Sequence, residues 1–347
     1  MLNSRKLRMS SLLSILFLFF VISFFFLLLL AVISLVVTVS NIMLYAIILV
    51  IFAVMFIGIQ WAISPYIVKW SVHLKKGMEV TPQNNPMIYS IVSELAKKAD
   101  VKMPRIYIIR ESEPNAFVFG RTVKDTYMVI HSGLLDILNA EELRAVLGHE
   151  IGHIKHRDVV TITVISALPL FAYIVARLAL DSVFFTGGGG GRKGSLFLAI
   201  VVAGILSFVV YIIAQLTVLR ISRLREFYAD NFSGNITEEP SKLVSSLSKI
   251  TYRLAYMPEE KNTRSVRAFY AVDPYNAMDD MNEMKQKIPD NATGVKIANE
   301  RELRKRMEEE AHSNFFTKIH RLFATHPPTY KRIIALLDLE KELNKVK

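Results

Sequence analysis

Cysteine is absent from all 347 residues. That excludes disulfides, thiol nucleophiles and thiolate metal sites, and leaves any metal ion to histidines and carboxylates. Acidic residues are outnumbered, 31 against 42 Lys and Arg, for a net charge of +11. No basic stretch carries the interleaved aromatics or glycines of an RNA-binding element, so no nucleic-acid partner is expected. Internal repeats are lacking as well. The first apolar run has no small-residue cleavage site and is too long for the roughly 7–15-residue core of a signal peptide, so it reads as a retained span.

What is abundant is apolar residues, 52% of the chain, and they are concentrated in runs. Residues 12–37, 42–63, 159–180 and 196–219 are each long enough to cross roughly 30 Å of hydrocarbon as a helix. The lipid bilayer is therefore a partner, with four spans. Lys and Arg gather beside the apolar ends: Arg5, Lys6 and Arg8; Lys69, Lys75 and Lys76; Arg220, Arg223 and Arg225. Anionic headgroups suit those clusters, and the positive-inside rule places the N-terminus and both large polar regions in the cytoplasm, in a multi-pass plasma-membrane protein. Arg192 and Lys193 in the outer loop weaken the bias without reversing it. Trp61, Tyr66 and Trp70 bracket the end of the second span as an interfacial belt.

The chain accordingly divides into an N-terminal transmembrane hairpin (1–67), a first catalytic piece (68–158), a second hairpin (159–219) and a second catalytic piece (220–347). The expected fold is integral membrane and mainly α, with a cytoplasmic α+β zincin-like domain holding a small sheet. Residues 86–99 have helical apolar spacing; 105–109, 115–119 and 127–130 read as strands; 140–157 reads as a helix. Helices are also expected over 222–232, 241–256, 300–310 and 332–345, whereas 257–298 reads as an irregular surface insertion or lid. The glycine run 187–191 reads as a flexible loop between spans; a phosphate cradle would need a strand before it.

The chemistry begins at His149-Glu150-Ile151-Gly152-His153. On a helix, histidines four residues apart leave the same face and can close on one zinc ion. Glu150 is not needed as a ligand and is free to act as general base toward a water. A catalytic zinc usually takes three protein ligands. His156 would reach back under strain, and Val159 excludes the pattern with a third histidine at that position. A carboxylate on a second helix remains. Glu226 fits best, since it follows the fourth run as the first motif precedes the third; read alone, it could equally be an arginine's partner. Asp230, one turn later, is placed to accept from a ligating imidazole. His73, His131, His312 and His320 show no partner pattern.

The chain resembles the HtpX-type membrane zinc metalloproteases, relatives of the CAAX prenyl endopeptidases. The likeness runs through Pro114-Asn115-Ala116-Phe117, Gly133-Leu134-Leu135, Glu141-Glu142-Leu143, His149 to His153 with His156, Glu226 to Asp230, Thr325-His326-Pro327-Pro328 and Arg332-Ile333. It implies one zinc per chain held by His149, His153 and Glu226, with Glu150 catalytic. It implies that Asn115, Ala116 and Phe117 lie on an edge strand that binds extended substrate, and that His326 or Arg332 contacts the tetrahedral intermediate. The segment 325–328 could instead be the entry cap of the last helix. The implied function is quality control of unfolded or damaged membrane proteins. A selective processing peptidase and a non-catalytic scaffold or chaperone are the alternatives. Neither the glycine run nor 257–298 maps onto the family.

Overall fold

The computed structural model describes residues 4–36, 42–71, 76–186, 192–257, 272–273, 276–288 and 323–346. They fall into two compact units: Pro65–Val160 with Ser222–Lys347, and Ser4–Ser64 with Thr161–Ile221.

The second unit is built from the apolar runs. Helix α1 spans Ser4–Val36 and α2 Ile42–Ser71. The third run is broken at Ser166 into α6 (Asp158–Ile165) and α7 (Ala167–Thr186). Pro169 lies in the first turn of α7, where its missing N–H removes little from the helical ladder. Helix α8 runs Arg192–Thr237, its residues through Ile221 belonging to this unit. Four stretches are long and apolar enough to cross a membrane: Met9–Ala31, Val50–Trp70, Asp158–Asp181 and Phe197–Thr237. The span count expected above therefore stands. Rings of Phe25, Phe26, Phe52 and Phe56 surround Phe171 at centroid distances of 5.6–6.2 Å. Phe19, Phe20 and Leu27 are each 66% exposed, which hydrocarbon tolerates and water would not.

The first unit carries the sheet. Strands β1 (Met78–Glu79), β2 (Arg105–Ile109), β3 (Ala116–Thr122) and β4 (Asp125–His131) lie in the order β1-β2-β4-β3. Only β2 and β4 pair in parallel, so the sheet is mixed and β3 is one of its edges. Side chains alternate between two cores, as the pleat requires. Ile106, Ala116, Val118, Met128 and Ile130 join the main core with the helices, while Phe117, Phe119, Tyr127 and Val129 pack with Val68 from the end of α2. β1 is two residues long and carried no period-2 signal to read.

Helix α3 (Pro86–Lys98) starts where Asn85 accepts from the Ile88 N–H and Pro86 takes the first position. After the single turn α4 (Ser132–Leu135) comes α5 (Ala140–Lys155), opened by a reciprocal capping box between Asn139 and Glu142. It is shorter than expected. His156 caps it and Arg157 adopts φ 59°, the left-handed conformation that commonly ends a helix. α9 (Pro240–Ala255), α10 (Ala277–Lys287) and α11 (Thr329–Val346) complete the unit.

Helix α10 corrects the reading of 257–298 as an irregular surface insertion for residues 277–288; residues 258–271, 274–275 and 289–298 lie outside the described residues. Ala277, Met281, Met284 and Ile288 lie in the main core beside residues of α9 and α11. Its methionines supply an apolar stripe at i, i+3 spacing that the surrounding Asp and Asn obscured in sequence. The expectations for the glycine run and for 300–310, together with His73, His312 and His320, lie outside the described residues.

Candidate metal centre

Helix α5 presents His149 and His153 from one face, their ring centroids 4.6 Å apart and their Nε2 atoms separated by 3.0 Å. Glu226 meets them from α8, one carboxylate oxygen 3.7 Å from His149 Nε2 and the other 3.5 Å from His153 Nε2. Glycines allow this approach. A Cβ on Gly152 would stand 3.2 Å from Ala229 Cα and 3.1 Å from the Phe232 ring, and one on Gly148 would stand 3.0 Å from Ser233 Oγ. Ser233 Oγ in turn donates to the Ala145 carbonyl at 2.6 Å, tying the two helices one turn further along.

The outer nitrogen of each imidazole faces a carboxylate. His149 Nδ1 lies 2.9 Å from Asp230 Oδ1, and His153 Nδ1 lies 2.8 Å from Asp158 Oδ2. A carboxylate at Nδ1 holds the proton there and leaves the Nε2 lone pair bare. Each carboxylate is held by a cation. Arg332 donates twice to Asp230, at 2.8 and 2.7 Å, and Arg225 pairs with Asp158 while also donating to the His156 carbonyl. The left-handed Arg157 reverses the chain between α5 and α6, which returns Asp158 to the histidine five residues before it.

Three potential ligand atoms thus converge. Glu226 Oε2 is buried and makes no hydrogen bond. The two Nε2 atoms, 3.0 Å apart and beside a carboxylate, need a shared proton or a metal cation between them. Ligands at zinc bond lengths and a tetrahedral angle stand about 3.3 Å apart, and the observed 3.0, 3.5 and 3.7 Å bracket that value. Among the described residues, His149, His153 and Glu226 are the group that could hold a metal ion.

The other expected residues distribute unevenly. Glu150 is buried, and that burial pushes its carboxyl up to about 8. His326 Nε2 is 3.8 Å from Glu226, while its Nδ1 pairs with Thr325 Oγ1 at 2.8 Å. Arg332 is buried with one nitrogen 3.4 Å from Glu226, its other donors committed to Asp230. The segment 325–328 does not cap the last helix by itself: Thr329 donates its N–H and hydroxyl to Asp280 on α10, at 2.9 and 2.8 Å. Asn115 is buried just before β3, its carbonyl accepting from the His131 N–H, and Ala116 and Phe117 begin the edge strand. His156 turns its ring to Tyr228 and Phe232 and stays out of the cluster.

Asp158 and Arg225 escaped the sequence reading. Asp158 ended the first polar piece, and Arg225 was read as part of a basic membrane flank. A carboxylate five residues beyond the second histidine was the available signal, and it has meaning only once the chain reverses at Arg157.

Four apolar helices and a cluster of two histidines from an H-E-x-x-H helix with a glutamate from a second helix define a multi-pass membrane protein of the metallopeptidase class. A profile described as Peptidase family M48 matches residues 82–340. The protein named Protease HtpX homolog from Moorella thermoacetica is 33% identical over 85% of this chain and 85% of its own length. The one from Bifidobacterium longum is 34% identical over 77% of this chain and 74% of its own. A solved structure, S. mikatae Ste24p, superposes with a TM-score of 0.42 at 16% identity, covering 96% of this chain and 67% of that one. The chain belongs to peptidase family M48, and it is a metalloendopeptidase.

Proposed function

We propose that this protein is a zinc-dependent endopeptidase of the plasma membrane, with its catalytic unit in the cytoplasm, acting on unfolded or damaged membrane proteins. One observation carries the metal assignment: a ligand atom from each of His149, His153 and Glu226 lies within 4.8 Å of the others. His149, His153 and Glu226 would hold the ion, which when bound polarises the scissile carbonyl and acidifies a water.

Glu150 would take a proton from the attacking water and return it to the leaving amine. Burial raises that carboxyl's affinity for protons, which suits it to carry the proton between water and amine. Asp230 and Asp158 keep the histidine protons at Nδ1, so that both rings present lone pairs. Arg332 acts by fixing Asp230; with one nitrogen directed at Glu226, it also sets the position of the third ligand. His326, 3.8 Å from Glu226, would donate toward a developing oxyanion.

Substrate would bind as an extra strand along β3, beginning at Asn115, Ala116 and Phe117. Backbone pairing recognises an extended chain more than its sequence, which suits a protease of unfolded segments. The sheet order supports this, because β3 is an edge and packs on α5, the helix that carries the histidines.

The test is cleavage of casein by detergent-purified protein, wild type beside Glu150→Gln. Wild type is expected to cut, to stop with chelator and to recover with zinc, while the variant binds zinc without cutting. Equal cleavage by the variant would remove Glu150 from the mechanism, and failure of both to bind zinc would remove the metal assignment.

A further inference from the structure

The end of α2 brings a set of cations together with the turn end of the sheet. Lys69 donates to the Tyr127 hydroxyl at 2.7 Å and lies 4.0 Å from the centre of that ring. Arg105 stacks on Tyr127 at 4.0 Å while pairing with Asp125 at 2.6 Å. Arg121 donates to the Tyr66 hydroxyl at 2.8 Å and lies 5.0 Å from its ring. Lys124 is exposed in the turn between β3 and β4. Four cations therefore face two nearby carboxylates, Asp125 and Glu79, of which Asp125 is already bound to Arg105 and Glu79 to Tyr107. None of these six belongs to the metal centre.

Depth in the membrane gives the cluster its meaning. Tyr66, Lys69 and Trp70 occupy the last turns of the membrane-crossing stretch Val50–Trp70, and Tyr66 and Trp70 are 58% and 82% exposed. Aromatic and basic residues at the end of a span sit at the level of the lipid headgroups. Side chains that touch Tyr66 and Lys69 directly, those of Arg121, Tyr127 and through it Arg105, must lie at that level too. Val68, between them, is packed into the sheet's aromatic face with Phe117, Phe119 and Val129, so the sheet cannot swing away from it.

We propose that Lys69, Arg105, Arg121 and Lys124 form a binding site for the headgroup of an anionic phospholipid. The turn end of the β3–β4 hairpin would then rest on the membrane surface. In that position β3 would meet a chain as it leaves the bilayer, before it could refold. This goes beyond the peptidase reading and does not depend on it, since lipid retention is measured without metal or substrate.

The test uses the full chain purified in detergent with a mixture of phosphatidylglycerol and phosphatidylcholine, and counts retained lipid by native mass spectrometry. Each cation near an anionic surface contributes about 1 kcal/mol, or about fivefold, to such binding. Lys124→Gln, at an exposed turn, is expected to lower phosphatidylglycerol retention about fivefold, and Lys124→Gln with Arg121→Gln more than tenfold. Lys341→Gln, which makes the same charge change on the exposed face of α11, is expected to leave retention as in wild type. Equal retention by wild type and both turn variants would overturn the proposal. So would an equal fall in the Lys341 variant, which would mark a net-charge effect. Displacement of the lipid by millimolar inorganic phosphate would assign the cations to free phosphate and not to a lipid.

Discussion

At the scale of single residues, the centre is governed by groups that do not touch the ion. Removing the carboxylate behind a ligating histidine typically costs 10–100-fold in metal affinity. Asp158→Asn and Asp230→Asn are each expected to weaken zinc binding within that range, measured by competition with a chromogenic chelator, while Asp158→Glu recovers part of the loss. Unchanged affinity in Asp158→Asn would show that Nδ1 of His153 needs no anionic partner. His131 bears on stability and not on catalysis. It is buried beside the Glu113 carbonyl, and burial lowers its pKa from 6.5 to about 4. Between those values an unfolded chain takes a proton that the folded chain refuses, so stability is intact above 6.5 and is lost as pH falls toward 4. The full effect is at most about 3 kcal/mol. His131→Asn, which keeps a donor for the carbonyl, should flatten the fall in melting temperature between pH 7 and pH 5; an unaltered slope would place the acid sensitivity elsewhere.

At the scale of elements, the centre exists because α5 and α8 approach closely at two glycines. Replacing a helical glycine by alanine ordinarily stabilises by about 1 kcal/mol. At Gly152 the added methyl would meet the backbone of Ala229 at 3.2–3.3 Å, and backbone cannot rotate aside. Gly152→Ala is therefore expected to lower both zinc affinity and melting temperature, and Gly152→Val to do so more strongly; a gain in melting temperature with full zinc binding would show that α8 yields. A second element-level tie is Asp280, which accepts from Thr329 at the start of α11, the helix that delivers Arg332. Loss of such a cap costs about 1 kcal/mol, so Asp280→Ala should lower the melting temperature modestly while retaining zinc. The helices over 86–98 and 140–155 were legible because caps and apolar periods coincide there, and 240–255 because Pro240 precedes a regular apolar period. α10 was not, because its buried stripe is thin and its polar face dominates the composition.

For the whole molecule, the proposed topology follows from asymmetry in Lys and Arg at the ends of the apolar runs. The natural absence of cysteine makes it directly testable. A single Gly189→Cys should react with an impermeant thiol reagent on intact spheroplasts, and a single Lys341→Cys only after the membrane is opened. The reverse pattern would invert the orientation and put the peptidase unit outside.

Two kinds of information separate cleanly here. Span number, the H-E-x-x-H pair, the short strands and the candidacy of Glu226 were set by sequence alone, because each rests on local spacing: apolar length, a four-residue helical turn, alternation, and position after a run. Tertiary structure decided everything that joins distant segments. It set Glu226 3.5–3.7 Å from the two histidines, and it gave Asp158 and Arg225 their places behind His153. It also made β3 an edge strand and buried α10. The physical reason is that a lone pair, a carboxylate or a cation has no partner until packing supplies one. In this chain the packing depends on two missing side chains, at Gly148 and Gly152, and on one left-handed residue, Arg157.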